Sequence, residues 1–281
     1  MNATTTTGQA DKAERFLALH QGESPLLMPN PWDPGSARLL ASLGFEALAT
    51  TSSGFAATLG RLDGSVTRDE AIGHAVAIVG ATDVPVSADL ENCFADDPAG
   101  VADTIGLAIG AGLAGCSVED FTGDREAPIY DPALAAERVA AAAVAAHAGP
   151  VHLVITGRAE NYLHGRPDLA DTIARLQSFQ EAGADVLFAP GVVDLDDVRR
   201  LVSSVDRPLN VIARPGGPSV AELADAGVRR VSVGGAFAFA ALGAVVEAAT
   251  ELREQGTYGY WARAGVGLEA ARAAFGGPPR P

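Results

Sequence analysis

Residues 85–120 read PVSADLENCFADDPAGVADTIGLAIGAGLAGCSVED. A short run of small and β-branched residues, 84–90, carries an acid near its end, and Asp97-Pro98 then offers a capping side chain followed by a ring that suits a first helical turn. An Ala-rich amphipathic stretch fills 98–111. Gly115 opens a second apolar run, 115–119, which again ends in an acid. Strand, helix, strand in this order is a βα unit and the start of the next.

The same rhythm extends in both directions. Candidate strands occupy 25–29, 45–50, 84–90, 115–119, 151–156, 186–189, 209–213 and 231–234. Helical patterns lie at 35–43, 68–80, 98–111, 132–146, 168–182, 195–202, 219–226 and 236–255. Asp33-Pro34 and Asp131-Pro132 repeat the helix-start signal. Gly44, Gly115, Gly183 and Gly227 stand where a helix gives way to the next strand. An open doubly wound sheet produces similar local patterns, but eight βα units in about 250 residues predict an α/β fold of the closed (β/α)8 TIM type. The chain then divides into a polar N-terminal tail and lead-in (1–20), a barrel domain (21–255) and a C-terminal helical extension (256–281). That extension either packs on a neighbouring subunit or folds back on its own barrel.

Composition narrows the chemistry. The 281 residues carry 20 Lys plus Arg against 35 Asp plus Glu, a net charge of −15, which repels nucleic-acid backbones and anionic membranes. No stretch combines the length and hydrophobicity of a membrane span, and the first residues lack the basic and apolar regions of a secretory signal, so a cytoplasmic protein is expected. Two cysteines, Cys93 and Cys116, are too few for a disulfide framework. The single lysine, Lys12, falls in the expected tail, which argues against a Schiff-base mechanism.

In a TIM barrel the site lies at the C-terminal ends of the strands. The polar residues there are Asn30 to Asp33, Thr51 to Phe55, Asp89 to Asn92, Glu119-Asp120, Arg158 to Asn161, Arg214 and Gly234-Gly235. Asp89, Glu91 and Glu119 form an acidic cluster on adjacent strands; Asp89 and Glu91 share a face, because side chains alternate along a strand. Such a cluster either gathers a hard divalent cation or caps helices and pairs with arginines. Arg158 offers a planar fork for a carboxylate or phosphonate, or else pairs with Glu160 or Asp120. Ser53, Gly54 and Phe55 end a turn whose backbone N–H groups can hold an anion.

Taken together, PNPWDPGSARLL (29–40), TTSSGF (50–55), GRLDG (60–64), PVSADLEN, GCSVED, TGRAEN (156–161), PLNVIARPG (208–216) and AGVRRVSVGG (226–235) resemble the isocitrate lyase and phosphoenolpyruvate mutase superfamily. The resemblance runs from about residue 27 to 242. It implies that Asp89 binds Mg²⁺ (or Mn²⁺) directly, with Asp63, Glu91 and Glu119 holding its waters. Ser53, Gly54, Phe55 and Asn210 would contact a substrate carboxylate, and Arg158 would clamp it. Arg158, Asp63 and Glu119 are the implied catalytic residues. Substrates would be small 2-oxo or 2-hydroxy acids or phosphonates, the shared intermediate a pyruvate-like enolate, and the assembly a homotetramer with its last helix swapped between subunits.

Departures from that pattern matter equally. Isocitrate-cleaving lyases carry a Lys-Lys-Cys-Gly loop after the fourth strand; here 121–130 reads FTGDREAPIY, with neither cysteine nor lysine, nor the asparagine of a phosphoenolpyruvate mutase. Where relatives have Asn-Ala-Arg-Thr-Asp, this chain has Thr156-Gly157-Arg158-Ala159-Glu160. Asp124, Glu126 and Tyr130 remain as loop acids, beside metal-bound water. Of the five histidines, only His164 is placed to reach the mouth. Three readings stay open: a Mg²⁺-dependent C–C lyase acting on a small oxo or hydroxy dicarboxylate, a C–P enzyme of phosphonomutase or hydrolase type, and a non-catalytic 2-oxo acid binder.

Overall fold

The structure, a computed structural model, describes residues 4–276, with side chains from residue 8 onward. Eight short strands, β1 (Leu26–Met28), β2 (Leu48–Ala49), β3 (Val86–Asp89), β4 (Gly115–Glu119), β5 (Val154–Arg158), β6 (Val186–Phe188), β7 (Leu209–Ile212) and β8 (Arg230–Ser232), pair in parallel in the order β1-β8-β7-β6-β5-β4-β3-β2. The Ala49 N–H donates to the Pro29 carbonyl at 3.1 Å, linking the segments of the first and second strands, so the sheet curls into the expected barrel.

Around it run α1 (Thr4–Leu19), α2 (Pro34–Ser42), α3 (Ser52–Thr58), α4 (Arg68–Val79), α5 (Pro98–Gly110), α6 (Pro132–His147), α7 (Leu169–Glu181), α8 (Leu195–Ser204), α9 (Val220–Asp225), α10 (Ala236–Gln255) and α11 (Trp261–Phe275). The Asp-Pro pairs do what their chemistry predicts. Asp33, Asp97 and Asp131 accept from the N–H groups of Ser36, Gly100 and Ala133, each with proline in the first turn behind it. The main core lies between sheet and helices and includes Leu48, Ile78, Leu113, Ile155, Phe179 and Leu187, all essentially inaccessible to solvent.

The described part of the expected N-terminal tail is a helix instead. On α1 the residues Ala10, Ala13, Phe16 and Leu17 recur at helical spacing, and Ala13 and Phe16 are fully buried against Leu26, Met28, Ala47, Ala114 and Val154. This apolar face closes the N-terminal end of the barrel, and Gln9 Nε2 fastens it by donating to the carbonyls of Ile109 (2.8 Å) and Leu113 (2.9 Å). Gly115 therefore has a different purpose from the one its sequence position suggested. The left-handed residue after α5 is Gly112 (φ 85°), while a Cβ at Gly115 would sit 2.7 Å from the Phe16 ring.

Two further elements depart from expectation. The Thr/Ser/Gly turn after β2 is the short helix α3, and β5 runs later than expected, so that Arg158 is its last residue rather than a loop residue. At the other end, α11 runs against α2 of its own barrel without burying any of its residues. Residues 277–281 of the expected extension lie outside the described residues.

Candidate active site

Strand register assembles the mouth. Glu119 and Arg158 are paired positions on β4 and β5, and Asp89 ends β3 next door. Arg158 holds three carboxylates: Nη1 meets Asp89 Oδ1 at 2.8 Å, Nη2 meets Glu119 Oε2 at 3.0 Å, and Nη2 and Nε reach Glu160 Oε1 at 2.8 and 2.9 Å. The guanidinium lies 5.2 Å from the centre of the Phe188 ring. Asp89 is fixed from two sides: its own N–H donates to Thr50 Oγ1 at 2.9 Å, and its Oδ2 accepts the Ser52 N–H at 3.2 Å.

An open cavity of about 840 Å³ adjoins these groups, walled by Asp63, Glu91, Glu119, Glu160, Arg125, Arg158 and His164 among others. Burial, then the neighbouring charges of Asp89 and Asp63, push Glu91 up to about 7. Burial also raises Asp63, and Asp89 adds to that rise. Glu119 stands well above the ordinary carboxylate range, driven by burial and reinforced by Glu160, Asp89 and Glu91, with Arg158 pulling the other way. Asp63, Asp89, Glu91, Glu119 and Glu160 thus crowd around one arginine that touches three of them. Oxygen donors of this kind suit a hard divalent cation in type. Among the described residues, however, the side chains drawn together closely enough to hold an ion unaided are His147, His152 and Asp185, so at the mouth Asp63, Glu91 and Glu119 would reach a Mg²⁺ or Mn²⁺ ion on Asp89 through waters. Glu91 (φ 49°), Cys93 (φ 59°) and Phe94 (φ 55°) all adopt left-handed backbone in the loop that carries Glu91, the kind of strain that collects where a fold positions functional groups.

Arg138 holds these loops from behind. It is fully buried and donates to the carbonyls of Asn92, Ala95 (2.9 Å) and Glu119 (3.4 Å), while its guanidinium lies 4.0 Å over the Tyr130 ring. Arg175 and Asp120 do the same on the next strand: Nη1 meets Asp120 Oδ2 at 3.1 Å, and Asp120 Oδ1 accepts the Glu160 N–H at 2.8 Å. Sequence reading missed Arg138; its one signal was an arginine on the apolar face Ala135, Val139, Ala142 of an Ala-rich helix.

Other expected residues fare differently. Gly54 and Phe55 do not line the large cavity: the Gly54 N–H is given to Thr51 Oγ1, and the Phe55 ring stacks on His74 at 3.9 Å. Ser53 Oγ lies 3.2 Å from Thr51 Oγ1, and from this segment Ser52 reaches the cavity wall. Asn210 is buried inside the barrel, donating to Ser232 Oγ at 3.0 Å. Tyr130 is turned away, its hydroxyl donating to Asp96, and burial lifts it to about 12. From the loop, Phe121, Gly123, Arg125 and Pro128 face the cavity rather than Asp124 or Glu126. His164 does reach it, stacked on Phe121 at 3.8 Å, with burial and then Arg158 and Arg125 lowering its pKa. Cys93 and Cys116 are buried, and burial pushes the Cys93 thiol up to about 12, which leaves it inert.

Against this geometry, the description of the phosphoenolpyruvate phosphomutase family matches residues 16–253. The chain belongs to that family. A crystal structure from Burkholderia cenocepacia J2315, of a protein provisionally named a lyase/mutase, is 52% identical and superposes with a TM-score of 0.88 over 90% of this chain and 92% of that one. An oxaloacetate decarboxylase of Chromohalobacter salexigens is 30% identical over 89% of this chain and 88% of its own length. The structure of a 2,3-dimethylmalate lyase is 26% identical, with a TM-score of 0.80, over 88% of this chain and 89% of that one. Membership places this chain in a family of lyases and mutases. Among the described residues no helix is long and apolar enough to cross a membrane.

Proposed function

We propose that this family member is a Mg²⁺-dependent lyase that cleaves a carbon–carbon bond in a small 2-oxo or 2-hydroxy dicarboxylate and releases a pyruvate-like enolate, decarboxylation of an oxaloacetate-like acid included. One observation carries the reading: a single arginine at the end of β5 meets three carboxylates at 2.8–3.0 Å beside two further acids, Asp63 and Glu91, whose charge burial disfavours. Such a site is short of positive charge until a cation arrives. Mg²⁺, or Mn²⁺ in its place, would be held by Asp89 with Asp63, Glu91 and Glu119 around it, and would supply charge neutralisation at the oxygens of a 2-oxo acid.

The chain's own groups do the rest. Arg158, at the cavity wall, would clamp a substrate carboxylate and stabilise charge developing on oxygen. The Thr51–Phe55 segment, pinned to Asp89 through Ser52, holds the opposite side of the mouth. His164 and Arg125 wall the cavity where the departing fragment would leave. The proton for the enolate comes from a group other than the buried cysteines and the occupied Tyr130 hydroxyl. Exposed apolar side chains on α10 and α11, among them Phe239, Val245, Val246, Trp261 and Val266, support a homotetramer in which copies of the chain cover them.

A panel test decides. Protein and Mg²⁺ are incubated with 2-oxo dicarboxylates, 2-hydroxy dicarboxylates and phosphonates, and products are followed by NMR. Pyruvate with CO₂ or a carbonyl fragment is expected. Inorganic phosphate from a phosphonate, or ligand-dependent thermal stabilisation with no product, defeats the lyase reading.

A further inference from the structure

Below the mouth, the barrel interior holds a second void of about 110 Å³, lined by Asn30, Ser87, Asp89, Ser117, Thr156, Arg158, Asn210, Arg230 and Ser232 along with apolar groups. A space of this size admits more than one water-sized group. Arg230, on β8, is 3% exposed, and each of its side-chain contacts is to a neutral acceptor: Asn210 Oδ1 at 2.9 Å, Thr156 Oγ1 at 3.1 Å and His20 Nε2 at 3.3 Å. A guanidinium has five N–H donors, so these three contacts leave two without an acceptor among the described residues.

The charge balance is as uneven as the hydrogen bonding. Among the described residues no carboxylate lies within ion-pair distance of Arg230, and the one acid lining the void, Asp89, is engaged by Arg158 at 2.8 Å. His20 is no anion substitute, since its Nδ1 faces the Phe16 carbonyl at 2.8 Å and burial, followed by Arg230, pushes the ring down to about 3, leaving it neutral. Burial and the proximity of Arg158 lower Arg230 itself to about 9. A second, independent observation lies across the void: Ser117 Oγ, on a residue 8% exposed, has no hydrogen-bond partner among the described residues. A buried cation without a counter-charge and a buried hydroxyl without a partner are both costly, and one bound group in the space between them satisfies both.

We propose that the barrel interior beneath Arg158 is a binding site for one compact anion of carboxylate size, held by the free N–H groups of Arg230 and the hydroxyl of Ser117. Asn210 and Thr156 orient the guanidinium. The anion is either a free ion or the second carboxylate of a dicarboxylate substrate reaching inward from the mouth, and the site stands independently of the lyase reading because its detection needs no turnover.

Bromide and formate serve as probes, titrated calorimetrically at constant ionic strength into Mg²⁺-loaded wild-type protein, Arg230→Gln, Arg230→Lys and Ser117→Ala. Bromide is also located by its anomalous scattering in crystals. One saturable site is expected, at least tenfold weaker in Arg230→Gln, partly restored in Arg230→Lys and several-fold weaker in Ser117→Ala, with the bromide peak beside Arg230. If Arg230→Gln does not fold, Ser117→Ala and the position of the peak decide. Absence of saturable binding in the wild type, unchanged affinity in a folded Arg230→Gln, or a peak confined to the acidic mouth overturns the proposal. Displacement of bromide by a 2-oxo dicarboxylate, but not by the corresponding monocarboxylate, assigns the site to the substrate's second carboxylate. Retention against both assigns it to a resident ion.

Discussion

Arg158 and Glu91 carry the two most informative single-residue tests. A lysine at 158 keeps the charge but loses the planar fork that meets Asp89, Glu119 and Glu160 together, so Arg158→Lys is expected to lower kcat/KM by about 10²–10³-fold, the usual scale for losing a preorganised oxyanion donor. Steady-state kinetics on the panel substrate check this; a change of less than about tenfold would remove Arg158 from the chemistry. Glu91 titrates near 7 in the folded protein, above the ordinary 4.5, because burial and then Asp89 and Asp63 disfavour its charge. The sign follows. As pH rises from about 4.5 to about 7 the unfolded chain has given up this proton while the native protein keeps it, so this group makes the metal-free protein less stable over that window. Binding of a cation requires the proton to leave, so Mg²⁺ affinity should climb by up to about tenfold per pH unit below about 7 and level off above it. Glu91→Gln should flatten the slope; calorimetric titration with Mg²⁺ at several pH values gives the readout, and a flat wild-type profile contradicts the assignment. Asp89, Glu91, Glu119 and Arg158 were legible in the sequence at the ends of apolar runs, while Asp63 came only from the family resemblance. Glu160 was also legible as a partner of Arg158, two residues away, whereas the reach to Asp89 and Glu119 was not, because a hydrogen bond from residue 158 to residue 89 depends on how the strands are arranged around the barrel.

Helix α1 shows how composition can hide an element. Its threonines and charged residues suggested a tail, yet Ala13 and Phe16 close the lower end of the barrel, and Gly115 is kept free of a side chain so that the Phe16 ring can lie over it. Phe16→Ala is expected to cost about 3–5 kcal/mol of stability, the usual range for emptying a buried aromatic site, read from the denaturant midpoint. Gly115→Ala alone should also destabilise, since its Cβ would meet Phe16 at 2.7 Å and the Val154 carbonyl at 2.8 Å. The double variant should lose less than the sum of the two, because removing the ring removes one of the two clashes. Additive losses would mean that the two positions do not touch. The periodicity of Ala10, Ala13, Phe16 and Leu17 was the signal available; it covers only two turns, too little to outweigh a polar sequence without knowing what surface it meets.

At the scale of the whole molecule, the fold leaves one face unfinished. Helices α10 and α11 enclose a groove of about 590 Å³ and expose Val245, Val246, Trp261 and Val266. A homotetramer that covers this face predicts that the paired substitution Trp261→Asp and Val266→Asp lowers the mass seen by sedimentation velocity, with the barrel's circular dichroism unchanged. A wild-type chain that is monomeric at micromolar concentration sinks that assembly. The sequence alone determined the barrel, because capping residues, glycines and the alternation of apolar runs act within a few positions of one another and repeat eight times around the sheet. It also determined that acids and an arginine would stand at the strand ends. Only the tertiary structure decided that Tyr130 turns to Asp96 and away from the cavity, that the Gly54 N–H goes to Thr51 and the Phe55 ring stacks on His74, and that Arg230 is enclosed with no acid within ion-pair distance among the described residues. Whether a polar side chain is satisfied, strained or left waiting for a ligand is fixed by what packing brings within about 3 Å of it, and those neighbours come from distant parts of the chain.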